Sequence, residues 1–359
     1  MRSTVQDIYS EIVKALENKE KCVLATLINR VGSAPRAVGA KYLVKGDGIS
    51  VGSIGGGCVE AEVWQKAQKV MEEARGGILH FDLTSEQLAE GGLICGGNID
   101  IFLEPLQEDF LNIYQEVARI RQEGGAGILA TLVSADTDFP KGEGPKILMK
   151  TSGEKVGCLF GGLEIGKKIL SEGKILLREK RPKMVTLSSE GRRMEVLLEP
   201  IFSEPTVYIF GGGHISEQLA PLVKKVLFRV AIIDDREMFA NRQRFPEADE
   251  VIVSEFEECF DQLSIDNSSY IVIVTRGHLY DAFVLERAIK TNARYIGMIG
   301  SKKKIMTLYQ GLMKKGISKE TLKRVRAPIG LEINSETPEE IAVSIAAELI
   351  KVRGESPGR

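Results

Sequence analysis

Hydrophobic residues at the start of the chain recur at the spacing of a helix. Six of them fall on one face of such a helix: Val5, Ile8, Tyr9, Ile12, Val13 and Leu16. This spacing predicts an amphipathic helix. The apolar and β-branched run from Cys22 to Ile28 follows it and predicts a buried strand. We therefore expect a first helix that docks on the strand after it.

The first half of the chain contains an internal repeat. Three segments recur with one offset of about 105 residues: 24–27 as 129–132, 39–45 as 144–150, and 52–57 as 157–162. Glu60 matches Glu164 after a one-residue gap, and Leu103-Glu104-Pro105 matches Leu198-Glu199-Pro200. We infer two copies, at about 22–106 and 126–202, of a unit that contains a strand, a strand, a glycine loop, a helix and a strand. They are expected to pack as one pseudo-symmetric domain over residues 1–202.

The pattern changes after Glu204-Pro205. From there to residue 353, apolar strands alternate with helical segments of ordinary length, at 207–210, 215–227, 230–234, 270–274, 281–290, 295–299, 302–315 and 339–351. Strands that alternate with helices in this way predict βαβ units around a parallel sheet. A second domain is therefore expected over residues 206–353. Its last helix is expected to begin with Thr337 as the cap and Pro338 at the first helical position.

A glycine turn follows the first strand of this second domain. Thr206–Phe210 leads into the segment Gly211-Gly-Gly-His-Ile-Ser216, and a helix begins near Ile215. The segment has the pattern GxGxxS, with serine in place of the last glycine of the pattern GxGxxG. A strand, a glycine turn and a helix in this order let a pyrophosphate approach the backbone and the positive end of the helix. The expected fold class is α/β, with a C-terminal Rossmann-type parallel sheet and an N-terminal α/β domain built from an internal duplication. Candidate cofactor-binding residues of the turn are Gly211, Gly213, His214 and Ser216.

An acidic residue closes the second strand of this domain. Asp234 lies where an acid meets a ribose 2′-hydroxyl in dinucleotide-binding domains. Arg236, two residues later, is suited instead to a 2′-phosphate. The choice between NAD and NADP stays open, and so does a domain that binds another phosphate-bearing ligand or none.

The composition is that of a globular protein. Of 359 residues, 43% are hydrophobic and 27% are charged. The formal net charge of -2 gives no support for binding to nucleic acid or to anionic lipid. Residues 1–21 lack the apolar stretch of a signal peptide, and no segment reaches the roughly 18 apolar residues of a membrane-spanning helix. We expect a cytoplasmic protein.

Two of the five cysteines stand beside glycines in the first copy of the repeat. Cys58 follows Gly55-Gly56-Gly57 and precedes a helix, where loop amides and the positive helix end favour a thiolate. Cys95 precedes Gly96 in the same copy, so its thiol is expected to converge on the same loop. Together the two sulfurs would form a soft-ligand site for a thiophilic metal. The alternative is that both are small residues that fill their loops.

Other residues of the first half have weaker signals. Arg36 lies in a short turn and is suited to clamp a phosphate with its planar fork, or it lies free on the surface. Glu60 is expected to cap the helix after the glycine loop, since it survives in the second copy. The alternative is that it hydrogen-bonds a nitrogen of a bound ligand. Four residues are expected to be ordinary core or strand positions: Cys22, Cys158, Cys259 and His80.

Two histidines of the second domain are expected beyond strand ends. His214 lies in the glycine turn, and His278 follows the strand at 270–274, with Asp281 three residues later. Ligands collect beyond the carboxyl ends of parallel strands, so the histidines are expected to share a cleft and to bind a ligand or transfer protons. Gly300 and Ser301 precede three lysines and predict either a second anion site at a helix start or a solvated face.

Nine segments, in order across both domains, resemble those of the XdhC/CoxI family: 52–60, 95–97, 103–106, 213–214, 244–249, 275–278, 295–301, 327–331 and 336–341. Arg276, in the segment 275–278, is a further candidate cofactor-binding residue. Members of this family are accessory proteins of molybdenum hydroxylases such as xanthine dehydrogenase. The resemblance implies binding of the molybdenum cofactor (molybdopterin), support for its sulfuration by a cysteine desulfurase, and delivery to the apo-enzyme. Ser216 and Asn334-Ser335 are small departures from the family pattern.

The leading hypothesis from the sequence is therefore a molybdenum-cofactor chaperone. In it the duplicated domain and the Rossmann-type cleft hold the pterin jointly, with Cys58 and Cys95 at the metal end and residues 211–216 at the phosphate end. One rival is an NAD(P)-dependent oxidoreductase with His278 or His214 as the proton donor. Another is a non-catalytic module that senses dinucleotides. A symmetric homodimer is the default expectation.

Overall fold

The structure is a computed structural model that describes residues 7–82, 97–136, 144–159, 162–189 and 192–355. For residues 159, 162, 163, 189, 192 and 278 it describes the backbone alone. The chain divides into two compact units, Met1–Ser203 and Glu204–Arg359. Within the described ranges, no helix combines the length and the apolar character that a membrane crossing requires.

The N-terminal unit contains the same series of elements twice. The first series is α1 (Ile8–Glu17), β1 (Cys22–Gly32), β2 (Lys41–Lys45), β3 (Ser50–Gly52), α2 (Gly57–Glu73), β4 (Gly77–Asp82) and β5 (Gly97–Pro105). The second is α3 (Leu111–Glu123), β6 (Ala126–Ala135), β7 (Pro145–Lys150), β8 (Lys155–Leu159), α4 (Gly162–Glu179), β9 (Lys183–Ser189) and β10 (Arg192–Phe202). The strand orders β3-β2-β1-β5-β4 and β8-β7-β6-β10-β9 are equivalent. The duplication expected from the sequence is confirmed, and each copy is larger than expected because it begins with a helix and contains five strands.

Alternation along the first strand explains how each sheet is covered on two faces. Val23, Ala25 and Leu27 pack with α2, whereas Leu24 belongs to a core that also contains residues of α1, α3 and the second sheet, such as Leu129. Successive side chains of a strand point to opposite faces. The two copies therefore share one core, and each has a second core under its own long helix.

One glycine is required at the same place in each copy. Gly52 has a φ of 93° and Gly157 a φ of 86°, in the left-handed region. A Cβ at Gly157 would lie 2.5 Å from Ile113 and 2.8 Å from the Lys146 carbonyl. At Gly52 it would press on Ile8 and on the Lys41 carbonyl. The repeat seen in the sequence therefore reflects the same close packing twice.

The C-terminal unit is a parallel sheet with helical connections. Its elements are β11 (Thr206–Phe210), α5 (His214–Lys225), β12 (Arg229–Asp234), β13 (Glu250–Val253), β14 (Ser269–Ile273), α6 (His278–Ala288), β15 (Tyr295–Met298), α7 (Lys302–Lys314), α8 (Lys319–Leu322), β16 (Val325–Arg326) and α9 (Pro338–Gly354). The strand order β13-β12-β11-β14-β15-β16 is that of a Rossmann dinucleotide-binding sheet. The expected fold class is confirmed. Thr337 caps α9 with Pro338 in the first turn, as the sequence predicts, but the short strands β13 and β16 were not expected.

Candidate functional site

The strand order creates a switch point between β11 and β14. β12, the next strand in the chain, lies on one side of β11, and β14 lies on its other side. In such sheets ligands bind beyond the carboxyl ends of the strands at this point. The glycine turn Gly211–Gly213 lies there, between β11 and the start of α5.

The three glycines of this turn have different surroundings. Gly211 has a φ of 107°, and a Cβ on it would lie 2.5 Å from the Val274 carbonyl. A Cβ on Gly212 would press on the Phe239 carbonyl, whereas one on Gly213 would meet no atom within 4 Å. The first two glycines therefore pack against neighbouring backbone, and the third faces open space at the first turn of α5.

Ser216 and His214 occupy opposite environments on α5. Ser216 is fully buried, and its hydroxyl donates to the carbonyl of Gly211. The serine found where the glycine pattern has its last glycine thus fastens the helix to the turn from inside. His214 is the first residue of α5 and is exposed.

Asp234 is held by donors of its own chain. Its Oδ2 accepts a hydrogen bond from the Gly212 amide at 2.8 Å, and its Oδ1 accepts one from Arg236 Nε at 2.9 Å. Burial raises the pKa of Asp234, but the hydrogen bonds from Arg236 and Gly212 outweigh it and the pKa lies below its usual value. The residue expected to meet a ribose therefore orients the glycine turn as a buried carboxylate.

The neighbouring Asp235 was not singled out from the sequence. Its Oδ2 accepts from Arg276 at 2.7 Å, and Arg276 also donates to the Tyr280 hydroxyl at 2.9 Å. Asp235 follows β12 and Arg276 follows β14, so this ion pair crosses the carboxyl end of β11. The acidic pair 234–235 could have indicated this in the sequence. Side chains of two adjacent residues at a strand end point in different directions, so the two acids are expected to have different partners.

Asp281 is completely buried in a second cluster. Its Oδ1 accepts from the Thr275 hydroxyl at 2.6 Å, and its Oδ2 accepts from Lys304 Nζ at 2.6 Å. Ser301 caps α7 by accepting from the Lys304 amide at 3.3 Å, directly after Gly300. His278 begins α6 near this cluster in the chain, and its side chain lies outside the description. These contacts join the ends of β14 and β15 to the helices that follow them.

The glycine loop of the N-terminal unit is shaped by Glu60. One carboxylate oxygen of Glu60 accepts from the Ser53 hydroxyl at 2.7 Å, the Gly56 amide at 2.8 Å and the Ile54 amide at 3.1 Å. Burial raises the pKa of Glu60, but these hydrogen bonds outweigh it and lower the pKa below its usual value. Gly55, Gly56 and Gly57 all have positive φ values, of 151°, 75° and 55°. The side chain therefore holds a loop that glycine alone adopts easily.

Cys58 lies on the first turn of α2, directly after this loop, and is exposed. Gly56 is the N-cap and supplies no side-chain hydrogen bond to the helix. A Cβ on Gly55 would lie 3.0 Å from Pro35, so the turn that contains the exposed Arg36 borders the loop. Cys95 and Gly96, expected beside Cys58, lie outside the described residues.

The structure corrects one expectation about the cysteines. Cys22 and Cys259 are buried as expected, but Cys158 is exposed. It lies on β8, which is an edge strand with a neighbouring strand on one side only. The apolar residues next to it in the sequence therefore do not predict that it is buried. His80 lies on β4 as expected, exposed, with its Nδ1 2.7 Å from Asp100. In the part of the chain that is described, no group of three or more histidine, cysteine or acidic side chains is placed to hold a metal ion.

Comparisons with known proteins agree with this architecture. A family model described as the XdhC Rossmann domain matches residues 207–349, and one described as the XdhC and CoxI family matches residues 15–82. A Bacillus subtilis (strain 168) protein described as a probable xanthine dehydrogenase subunit is 27% identical, over 94% of this chain and 95% of its own length. An Escherichia coli (strain K12) protein described as the molybdenum cofactor insertion chaperone PaoD is 23% identical, over 95% of this chain and 86% of its own length.

A solved structure has the same fold over nearly the whole chain. The crystal structure of a Bacillus halodurans protein described as a xanthine dehydrogenase matches with a TM-score of 0.78 and 25% identity. The match covers 96% of this chain and 95% of that one. Models of one family thus match residues 15–82 of the N-terminal unit and residues 207–349 of the C-terminal unit. This chain belongs to the XdhC/CoxI family.

Proposed function

We propose that this protein is an accessory protein of a molybdenum hydroxylase of the xanthine dehydrogenase kind, which binds the molybdenum cofactor and delivers it to the apo-enzyme. The names of its Bacillus subtilis and Escherichia coli relatives support this role. The observation in the structure that carries the proposal is the exposed Cys58 at the end of a glycine loop whose shape is held by Glu60.

The chemistry of this loop fits the cofactor. Molybdopterin has a phosphate at one end and sulfur-bound molybdenum at the other. A Cβ on Gly56 would meet no atom within 4 Å, so the loop presents open backbone next to the positive end of α2. Amides of the first turn of α2 would bind the phosphate, since those of Ile54 and Gly56 in the loop already donate to Glu60. Arg36 would clamp it, and the Cys58 sulfur would contact the metal as a soft ligand. The bound cofactor supplies the molybdenum centre that the partner hydroxylase uses.

We include Cys95 in the same site. Gly97, two residues after Cys95 in the chain, pairs with Gly32 at the end of β1. A Cβ on Gly97 would lie 2.6 Å from the Ser33 carbonyl, so the start of β5 borders the turn that also contacts Gly55. Cys95 itself lies outside the described residues, so its place in the site is a proposal from the sequence.

The finer steps of the role are proposals as well. A cysteine desulfurase is the expected second partner, because sulfuration of the cofactor requires a sulfur donor. The protein would keep the cofactor bound while the partner supplies sulfur, and it would then dock on the apo-hydroxylase. A homodimer is the expected assembly, and multi-angle light scattering of the purified chain measures it.

The experiment is to express the full chain together with the cofactor-synthesis enzymes and to measure molybdenum and molybdopterin in the purified protein. The Cys58→Ser variant is expected to retain about tenfold less cofactor, equivalent to about 1.4 kcal/mol of binding free energy. Cys158→Ser is the matched control, since that thiol is also exposed and lies in the second copy. A wild-type protein that binds no molybdopterin and leaves loading of a molybdenum hydroxylase unchanged would contradict the proposal.

A further inference from the structure

Gly213 is a glycine that neither its backbone conformation nor its packing requires. Its φ is -80°, which any residue adopts. A Cβ there would meet no atom within 4 Å, unlike one at Gly211 or Gly212. The first-turn amides of α5 have no partner within the helix, and Gly213 supplies no side-chain cap. One reason for a glycine at this position remains: it lets an anionic ligand come close to these amides.

Asp235 contains a buried oxygen that accepts no hydrogen bond from the described residues. The side chain is 9% exposed, and its Oδ2 is paired with Arg276. Oδ1 has no hydrogen-bond donor. Arg236 Nε lies 3.5 Å from it, but the single N–H of that nitrogen is donated to Asp234. A buried polar oxygen without a donor is costly, so this position favours a ligand that brings a donor.

Both features lie at one edge of the sheet. Gly213 follows β11, and the Asp235–Arg276 ion pair connects the chain after β12 with the chain after β14. These are the two strands that flank β11. An anion site and an acceptor for a hydroxyl are therefore adjacent, as a diphosphate joined to a ribose requires.

The charges at this edge select the form of the ribose. Asp234 and Asp235 are adjacent acids, and hydrogen bonds from Arg236 and Gly212 lower the pKa of Asp234 and keep it ionised. A 2′-hydroxyl supplies the donor that Asp235 lacks, whereas a 2′-phosphate would bring a dianion toward two carboxylates. Arg236 is the cation expected to offset such a charge, but Asp234 binds it and it lies over the Phe239 ring at 3.7 Å.

We infer that the carboxyl edge of the C-terminal sheet is a separate binding site for a nucleotide diphosphate with a free ribose 2′-hydroxyl, which donates to Asp235. The site lies within the C-terminal unit and goes beyond the proposed function, because it involves neither molybdenum nor Cys58. It answers the question between NAD and NADP that the sequence leaves open, in favour of the form without the phosphate.

Isothermal titration of the full chain with ADP, ADP-ribose, NAD⁺ and NADP⁺ tests the inference. NADP⁺ is expected to bind about tenfold or more weakly than NAD⁺, a difference of about 1.4 kcal/mol. Tighter binding of NAD⁺ than of ADP assigns a dinucleotide, and equal binding assigns a nucleoside diphosphate. A folded protein that binds none of these at millimolar concentration, or that binds NADP⁺ as tightly as NAD⁺, overturns the inference.

Two variants separate the acceptor from the phosphate site. Asp235→Asn is expected to weaken NAD⁺ about tenfold and to reduce the preference over NADP⁺, because a negative charge is removed. Gly213→Val is expected to fold with an unchanged melting temperature and to lose all binding. Gly311→Ala, at a helical glycine with no atom within 4 Å of a Cβ, is the control with unchanged affinity. Unchanged affinity of Gly213→Val would overturn the inference, even if Asp235→Asn failed to fold.

Nucleotide binding at the C-terminal sheet is expected to be independent of molybdopterin loading. The proposed function places the molybdopterin phosphate on the loop before α2, and not on residues 211–216 as the sequence hypothesis did. On that proposal Gly213→Val and Asp235→Asn retain as much molybdopterin as the wild type after co-expression, whereas Cys58→Ser retains less and binds NAD⁺ normally. Loss of one binding activity without the other identifies which of the two proposals has failed.

Discussion

Lys41 and Glu199 form a buried ion pair at 2.7 Å, although they belong to different copies of the repeat. The second copy returns the contact, because Lys146 lies 2.9 Å from Glu104 of the first copy. Each lysine also donates to a threonine of its own copy, Thr26 or Thr131. Burial lowers the pKa of Lys41, but Glu199 outweighs it and the pKa lies above its usual value.

These crossed pairs explain why the repeat is strongest at particular positions. The lysines lie in the segments 39–45 and 144–150, and the glutamates lie in the Leu-Glu-Pro segments at the end of each copy. A buried charge is tolerated when its partner is fixed opposite to it. The duplicated segments therefore contain the polar contacts that hold the two copies in register.

Removal of one partner of a crossed pair is expected to be costly. Lys146→Met leaves Glu104 buried without its cation, which costs about 3 to 5 kcal/mol of unfolding free energy. Lys146→Met combined with Glu104→Leu is expected to cost less than the single change. The measurement is urea unfolding followed by Trp64, the one tryptophan of the chain, which lies in α2 and reports on the N-terminal unit.

The control for this cycle is an exposed ion pair. Lys183 and Glu172 lie 3.5 Å apart with both side chains exposed, and Lys183→Ala should cost less than about 1 kcal/mol. If Lys146→Met and Lys183→Ala lowered the free energy of unfolding equally, the buried crossed pairs would stabilise the protein no more than an exposed pair does.

Glu60 is expected to give the N-terminal unit a dependence on acid pH. Its folded pKa is lowered, so its stabilising contribution is complete above the unfolded pKa of about 4.3 and is lost as the pH falls through the lower folded pKa. Glu60→Gln should cost about 1.5 to 3 kcal/mol near neutral pH, and this difference should shrink below about pH 4.3. Trp64 fluorescence during urea unfolding, measured between neutral and acid pH, gives both values.

Glu164→Gln is the matched control, because Glu164 corresponds to Glu60 and is exposed in the second copy. Its effect on unfolding should be small and independent of pH. A cost for Glu60→Gln that stays constant through the acid range would be incompatible with the hydrogen bonds assigned to the carboxylate.

The glycines of the two copies provide a test of backbone conformation. Gly157→Ala should cost about 1 to 3 kcal/mol, because a positive φ is strained for alanine and the Cβ meets Ile113. Gly166→Ala should stabilise the unit by about 0.5 to 1 kcal/mol, since Gly166 is helical and a Cβ there has free space. Urea unfolding of both variants measures the difference. Similar effects of the two changes would contradict the packing described for Gly157.

Thiol labelling should follow exposure. A maleimide at neutral pH is expected to modify Cys58 and Cys158 in the native protein and to spare Cys22 and Cys259. Burial raises the pKa of Cys22 to about 12 and that of Cys259 to about 11, so the reactive thiolate is scarce at both. Peptide mass spectrometry before and after denaturation locates the label. Labelling of Cys22 in the native protein at the rate of Cys58 would be inconsistent with the fold.

Local patterns along the chain were sufficient for the fold class. The offset of the repeat, the alternation of strands and helices after Glu204, and the glycine turn at 211–213 each depend on residues close together in the sequence. They predicted two copies of one unit and a Rossmann-type sheet, and the strand orders confirm both. They also indicated the cap of α9, because a capping threonine and a following proline lie within one turn.

Long-range contacts determined the partners of individual side chains. Lys41 meets a glutamate 158 positions later, which no local pattern indicates. Asp234 is bound by Gly212 and Arg236, so the acceptor left over at the sheet edge is Asp235. Cys158 is exposed because its strand forms an edge. A short segment determines the local path of its own chain. The donors, acceptors and packing neighbours of its side chains come from distant segments, which meet only when the sheets assemble.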